Sequence, residues 1–524
     1  MTLYQDILTQ VFNFILDDAR VELSERITNL YSCILVNHIW CTTGYQILWK
    51  APFSLLHKLP CTRERYSSLV STYLKCLPPE DKIQFMELRI PMNFISVYSP
   101  YFNYSRVLKN FSYIEYQHSI FHWTQKNLSS DLEDDETFIS NHDFVSNILT
   151  KHFMQIIKLK KIEFLEFDHQ QHHHLNLNLN SLNSSNCSFM KFSPKSSIYD
   201  LTKLPGANEF FGNITSLSTY KILDSIILKG LAKICHSIKD IYINCDETNY
   251  EGWSTLLNSQ SNLLHLKIRT KNTNIPLIKN ALMNKVNTLI SLSLIPICLS
   301  MNIFINCPNL HELEIMENPN FLPNNELYQF LSIRFPNLEF LTIKLLHSSI
   351  LFPYFSTFIQ NHSKTLKYLS VTCFQNHLLI KTDYLLTYSS MLIEFCSNLL
   401  EYIGPISIKH IPSLFNQCSN LYRISLLSND HYNISICSEL EEIGNLLPKN
   451  LMKLKIPSEY KFTANSLERF LQCCEDKLVK ELELDISRYS LDLQIILEKY
   501  RMKGVLNKIW VNIYILYIYI YIID

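Results

Sequence analysis

Glycine is nearly missing from this chain, with eight residues in 524. The closest useful pair is Gly206 and Gly212, and neither GxGxxG nor GxxxxGK occurs. Loops that cradle phosphate need glycine to bring backbone N–H groups close, so dinucleotide and P-loop chemistry is excluded. Charge is scarce too. Charged residues make up 18%, against about a quarter in an ordinary globular chain. The formal net charge is −1, so neither a nucleic acid nor an anionic membrane is expected as partner. No apolar run reaches the roughly eighteen residues that a spanning helix needs, and none is expected. The opening "MTLYQDILTQVFNFILDDAR" has acids where a secretory leader needs bases, so no leader is expected.

Fifteen cysteines contain no CxxC pair, and most have a Leu or Ile neighbour, as in "SCIL" and "KICHSI". They read as reduced thiols serving as small core hydrophobes, which predicts an intracellular protein, cytoplasmic and/or nuclear. Ser, His and Asp occur singly, without a nucleophile, base and orienting group in recognisable spacing. No enzyme activity and no cofactor are expected. His169, His172, His173 and His174 sit in "DHQQHHHLNLNLNSLNSSNCS", residues 168–188. Zinc needs ligands on a folded frame, so this tract reads as a solvated insertion and no metal is expected. Residues 129–137 read as an acidic loop.

What the chain does have is a repeat. "CPNLHELEI", "FPNLEFLTI", "SKTLKYLSV" and "CSNLYRISL" share an apolar residue, a second three later and a third two after that. With the first of these as phase mark, the series runs Ile238, Leu263, Leu289, Leu310, Leu338, Leu366, Leu399, Leu421, Leu451 and Val479. Weaker copies mark Ile162 and Ile214, and the Leu399 copy is degenerate. Most steps fall in or near the window of about 20–29 residues of leucine-rich repeats. The last two apolar positions are two apart, so both point to one face of a strand. Helical patterns such as "ANSLERFLQCCE" lie between. The fold class expected is α/β: a small helical module, then an irregular solenoid with parallel strands on the concave face and helices on the convex face. The alternative is an α/β domain of independent strands and helices. Strands are predicted at 240–244, 265–269, 291–295, 312–316, 340–344, 368–372, 423–427, 453–457 and 481–485. Asn318 and Asn429 sit where a ladder asparagine would fall. The expected organisation is a helical module over 1–50, a connecting or early degenerate repeat region over 51–160, the solenoid over 161–500 and a low-complexity apolar tail over 501–524.

Near the start, Leu8, Val11, Phe12 and Ile15 recur as an amphipathic helix over residues 3–16. Asp17 and Asp18 break it. A second helix is predicted from Thr28, with Leu30, Cys33, Ile34, Asn37 and Trp40 on one side. Leu3, Ile7, Leu8, Val11 and Phe12, the acidic break, then Leu30, Cys33, Val36, Asn37 and Trp40 resemble an F-box. "GYQILWKAPF" looks like the run that follows it in the expanded F-box families with leucine-rich repeats. Tyr4 stands where that family usually has Pro, and "ARVELSERITN" lengthens the connection. The resemblance implies binding to a Skp1-type adaptor, and so to a cullin complex, through Leu3, Leu8, Phe12, Leu30, Val36 and Trp40. The protein would then be the substrate-recognition subunit of a ubiquitin ligase. The alternative is a leucine-rich scaffold with no ligase association. An unidentified target protein is expected on the outward strand residues His265, Lys267, Phe340, Lys344, Tyr368, Arg423 and Lys453, with Phe340 and Tyr368 as aromatic anchor, or else on the loops.

Overall fold

The computed structural model describes residues 2–17, 23–58, 63–87, 100–128, 135–164, 202–219, 222–270, 275–296, 301–304, 307–317, 329–345, 352–373, 382–427, 434–457, 460–475, 481–484, 491–505 and 508–511. The tract 168–188, Asn318, Asn429, Val479 and the end of the tail lie outside them. The chain divides into two compact units, residues 1–263 and 264–524.

The first unit opens with three helices, α1 (Thr2–Asp17), α2 (Leu23–Ile34) and α3 (His38–Leu48). Leu8, Phe12 and Leu30 form their common core, with Ile15, Cys33, Ile39 and Trp40 packed around it. The single second helix expected from Thr28 to Trp40 is in fact two. Asn37 divides them: its backbone is extended and its side chain accepts from the Trp40 amide at 3.0 Å. That local bond competes with the helix and makes Asn an N-cap instead of an interior residue. The long connection is helical from Leu23 onward. A Cβ on Gly44 would lie 2.5 Å from Ile34 Cγ1, so glycine is what permits α3 to cross α2 this closely.

Further helices follow at Pro52–Lys58, Arg63–Lys75, Pro79–Glu87, Tyr104–Val107, Tyr113–Leu128 and Asp135–Ile156. Aromatic side chains at the end of α3 pack against this region. Tyr45 stacks on Phe102 at 4.1 Å, and Trp49 lies 4.1 Å from Tyr104 and edge-on to Tyr73.

Four parallel strands complete this unit: β1 (Asn110–Ser112), β2 (Lys161–Phe164), β3 (Ser216–Thr219) and β4 (Asp240–Cys245). Phe111, Ile162, Leu217 and Ile241 are aligned in register and buried. The β2 phase differs from the sequence expectation. Ile162 is the middle strand residue, and Leu159 is the buried residue at the turn. Leu159, Ile162 and Phe164 satisfy the same three-then-two spacing as the later triplet, so the pattern alone fits two phases. Pairing to β1 and β3 selects one. β1 is a copy that the sequence series omitted, with Leu108 at its turn.

The second unit is a ladder of β5 (His265–Thr270), β6 (Ser291–Ile295), β7 (Glu312–Met316), β8 (Phe340–Leu345), β9 (Tyr368–Cys373), β10 (Glu401–Pro405) and β11 (Arg423–Leu427). After β11, a two-residue strand β12 (Ile434–Ser435) precedes β13 (Lys453–Ile456), and another, β14 (Tyr460–Lys461), precedes β15 (Glu481–Leu484) and β16 (Lys508–Val511). β12 and β14 pair with each other; the other ten are parallel neighbours in chain order. One row runs without a register shift through Leu266, Leu292, Leu313, Leu341, Leu369, Tyr402, Ile424, Leu454, Leu482 and Ile509. The expected strands and their buried middle residues are found within this unit with ends shifted by at most one residue. The phase-marking leucines from Leu289 to Leu451 are buried as well.

The degenerate Leu399 copy folds as β10. Tyr402 fills the leucine position, and its hydroxyl donates to Pro405 O at 2.7 Å. Helices return between many strands, as at Pro276–Met283, Phe352–His362, Thr382–Phe395, Cys437–Leu446 and Ala464–Cys474. An asparagine ladder exists at a place the sequence reading did not consider, one residue before the phase mark. Asn309, Asn337 and Asn398 each donate to a carbonyl of the preceding repeat, of Asn287, Pro308 and Lys364, at 2.8–2.9 Å. Cysteine occupies a neighbouring inner position. Cys418 donates to Cys396 O at 3.1 Å, and burial pushes both thiols up to about 12. These thiols pack and donate; they are not poised as nucleophiles.

Candidate functional site

Two surfaces are candidates, one in each unit. The first is on α1, a helix with apolar side chains on two sides. Leu8 and Phe12 face the core, and Trp40 meets Phe12 edge-on at 5.5 Å. On the other side Tyr4, Ile7, Val11 and Phe14 follow at spacings of three, four and three and are 43–66% exposed. Single exposed apolar residues are ordinary; a helical stripe in which Ile7, Val11 and Phe14 stay open to solvent, beside a Tyr4 whose hydroxyl meets Trp40, is not. Tyr31, Leu35 and Val36 are exposed as well.

The predicted adaptor contacts therefore separate. Leu8, Phe12 and Leu30 are 0–5% exposed, so they hold the module together and offer no contact surface. Trp40 is half-buried, and its indole N–H donates to the Tyr4 hydroxyl at 3.3 Å. Val36 is open to solvent. Leu3 lies in α1, and its side chain is outside the described set. Val11, counted on the inner face by periodicity, is on the outer one. Ile7, Val11 and Phe14 are the candidates that the predicted site lacked. Their signal was a second helical series in the same sixteen residues.

The second surface is the half-exposed face of the ladder in the second unit. Phe340 and Tyr368 are register partners and stack at 4.1 Å with ring planes 5° apart. Tyr422 approaches Tyr368 edge-on at 6.5 Å. Lys267 and Lys344 do not reach outward as free cations; both meet Glu314. Lys267 Nζ is 3.1 Å from its carboxylate, Lys344 also donates to it, and Ser293 Oγ donates at 2.5 Å. Arg423 pairs with Glu401 at 3.0 Å, and the Tyr422 hydroxyl donates to the same carboxylate. His265 is exposed, and Lys453 is half-buried beside Arg423 and Glu481 in register. Lys267, Lys344 and Arg423 are thus engaged in cross-strand pairing.

Burial pushes the Glu314 carboxyl up, but donation from Lys344, Ser293 and Lys267 outweighs it and holds the group at about 2. A depressed carboxyl contributes its full stabilisation above its ordinary value and loses it as pH falls toward 2. E314Q should therefore cost on the order of 1–3 kcal/mol at pH 7 and almost nothing at pH 2. Urea titrations across that range check it; a penalty that does not vary with pH would remove the ion cluster from the stability account.

Among the described residues, no group of three or more His, Cys, Asp and Glu is placed to hold a metal ion. No described helix is long and apolar enough to cross a membrane.

No family model matches the chain, and no curated protein matches it. Among solved structures it is similar to the leucine-rich repeat-containing protein LegL7 from Legionella pneumophila. The TM-score is 0.32 at 12% identity, over 58% of this chain and 94% of that one. The repeat assignment stands on the ladder itself. Parallel strands in unbroken register, one per copy of the three-then-two motif, fit a leucine-rich repeat.

Proposed function

We propose that the protein is a non-catalytic substrate receptor of a ubiquitin ligase. Its N-terminal module would hold a Skp1-type adaptor and through it a cullin, while its repeats hold a target protein. Its contribution to the reaction is proximity. The observation that carries this reading is the α1 stripe of Tyr4, Ile7, Val11 and Phe14. Among the described residues, Ile7, Val11 and Phe14 stay open to solvent after α1 has filled its own core, and a partner surface would cover them. The resemblance of this segment to an F-box names the partner, and the repeat ladder supplies the second half of a receptor.

The test is co-expression of the full chain with a Skp1-type adaptor and a cullin. Both should co-purify with it. The variant I7E/V11E, at two solvent-facing positions, should keep the melting temperature and reduce capture at least tenfold. That loss follows from about 1–4 kcal/mol for each interface anchor removed. An unmodified chain that captures no adaptor would leave a leucine-rich scaffold without a ligase.

A further inference from the structure

On the half-exposed face of the second unit, the aromatic pair has one covered side and one open side. Tyr368 on β9 covers one face of the Phe340 ring. The opposite face looks toward β7, whose register partner at that level is Glu312. Phe340 remains 39% exposed, and Glu312 is exposed beside it.

The surrounding carboxylates are occupied. Glu314 takes Lys267 and Lys344, Glu339 takes Lys367 at 2.8 Å, and Glu401 takes Arg423. Among the described residues, none donates to the Glu312 carboxylate. Neighbouring strands lie about 4.8 Å apart, and a cation is held over an aromatic ring within about 6 Å. Phe340 and Glu312 therefore present a ring and a carboxylate side by side to a flat cation that can stack on the one and donate to the other. Guanidinium has both properties. Its plane stacks on a ring and its fork matches a carboxylate, whereas an ammonium is a point charge with a tighter water shell.

We infer that this slot receives an arginine side chain of the target protein, stacked on Phe340 and paired with Glu312. The inference rests on the target-binding reading of the repeats and does not depend on the adaptor. Tyr368 acts as a positioning residue, because its stack fixes the Phe340 ring plane. Glu312 supplies the charge complement, and the ion cluster around Glu314 keeps Lys267 and Lys344 from filling the slot.

The experiment is a selection of phage-displayed random peptides on the full chain. Enriched peptides are expected to share an arginine whose change to Ala weakens binding at least tenfold and whose change to Lys weakens it severalfold. F340L, which keeps an apolar residue on the strand, and E312Q should each weaken those peptides at least tenfold without lowering the melting temperature. Peptides without a common arginine, an acidic family that depends on Lys267 and Lys344, equal binding to F340L and E312Q, or no enrichment would each overturn the slot. Adaptor capture is scored on the same preparations. Its loss with arginine peptides still bound counts against the ligase reading alone, and its retention without them counts against the slot alone.

Discussion

Leu341→Ala should destabilise the second unit by about 2–5 kcal/mol, the cost of a large-to-small change in a packed core. Leu341 is 1% exposed and lies in register between Leu313 and Leu369, themselves buried. Stacked repeats bury their apolar residues against neighbours, so the damage should be local. Amide exchange should accelerate most in β7, β8 and β9 and least in β13 to β16. Phe340, the preceding residue, points to the other face and is an internal control: Phe340→Ala should cost less than about 1 kcal/mol. Equal penalties at 340 and 341, or protection lost uniformly along the ladder, would contradict an alternating strand in a nearest-neighbour stack.

The second large effect is expected at Phe12. It is fully buried, packs edge-on against Trp40, and belongs to the small core with Leu8 and Leu30. Phe12→Ala should cost about 3–5 kcal/mol. A core of that size has little stability in reserve, so the three helices should open. Limited proteolysis should then cut within residues 1–48, and adaptor capture should disappear with the fold. I7E/V11E should lose capture without new cleavage. The two variants separate a residue that builds the surface from residues that are the surface. A Phe12→Ala chain that resists protease like the unmodified one would mean that this core is not what holds α1, α2 and α3 together.

Ile7 and Phe12 illustrate where sequence reading ends. Both are apolar and both lie on one amphipathic helix, and nothing local says which is covered. α1 carries two apolar series, and the tertiary structure chose the inner one because Leu30 and Trp40 pack against it. The same limit appears at Asn37. Helical periodicity runs through it, but α2 ends at Ile34 and the Asn37 side chain caps α3 by accepting from the Trp40 amide. It appears again at Ile162, where two phases satisfy the motif and only pairing with β1 and β3 distinguishes them.

The repeats were legible from the amino acids because their signal is local and redundant. An apolar turn residue, then two strand residues on one face, recurs through β5 to β15, and the alternation is a property of the extended backbone itself. Even Tyr402, a poor match, folds correctly because its neighbours impose the register and Pro405 O accepts its hydroxyl hydrogen bond. What only the tertiary structure decided is who meets whom across strands and helices: Lys267 and Lys344 on one Glu314, Phe340 flat against Tyr368, Asn309 on the carbonyl of Asn287, and the side of α1 left uncovered. The physical reason is common to all four. Backbone geometry assigns each side chain a face within its own strand or helix, but its partner comes from a segment tens of residues away, and that choice is made by packing and charge in three dimensions.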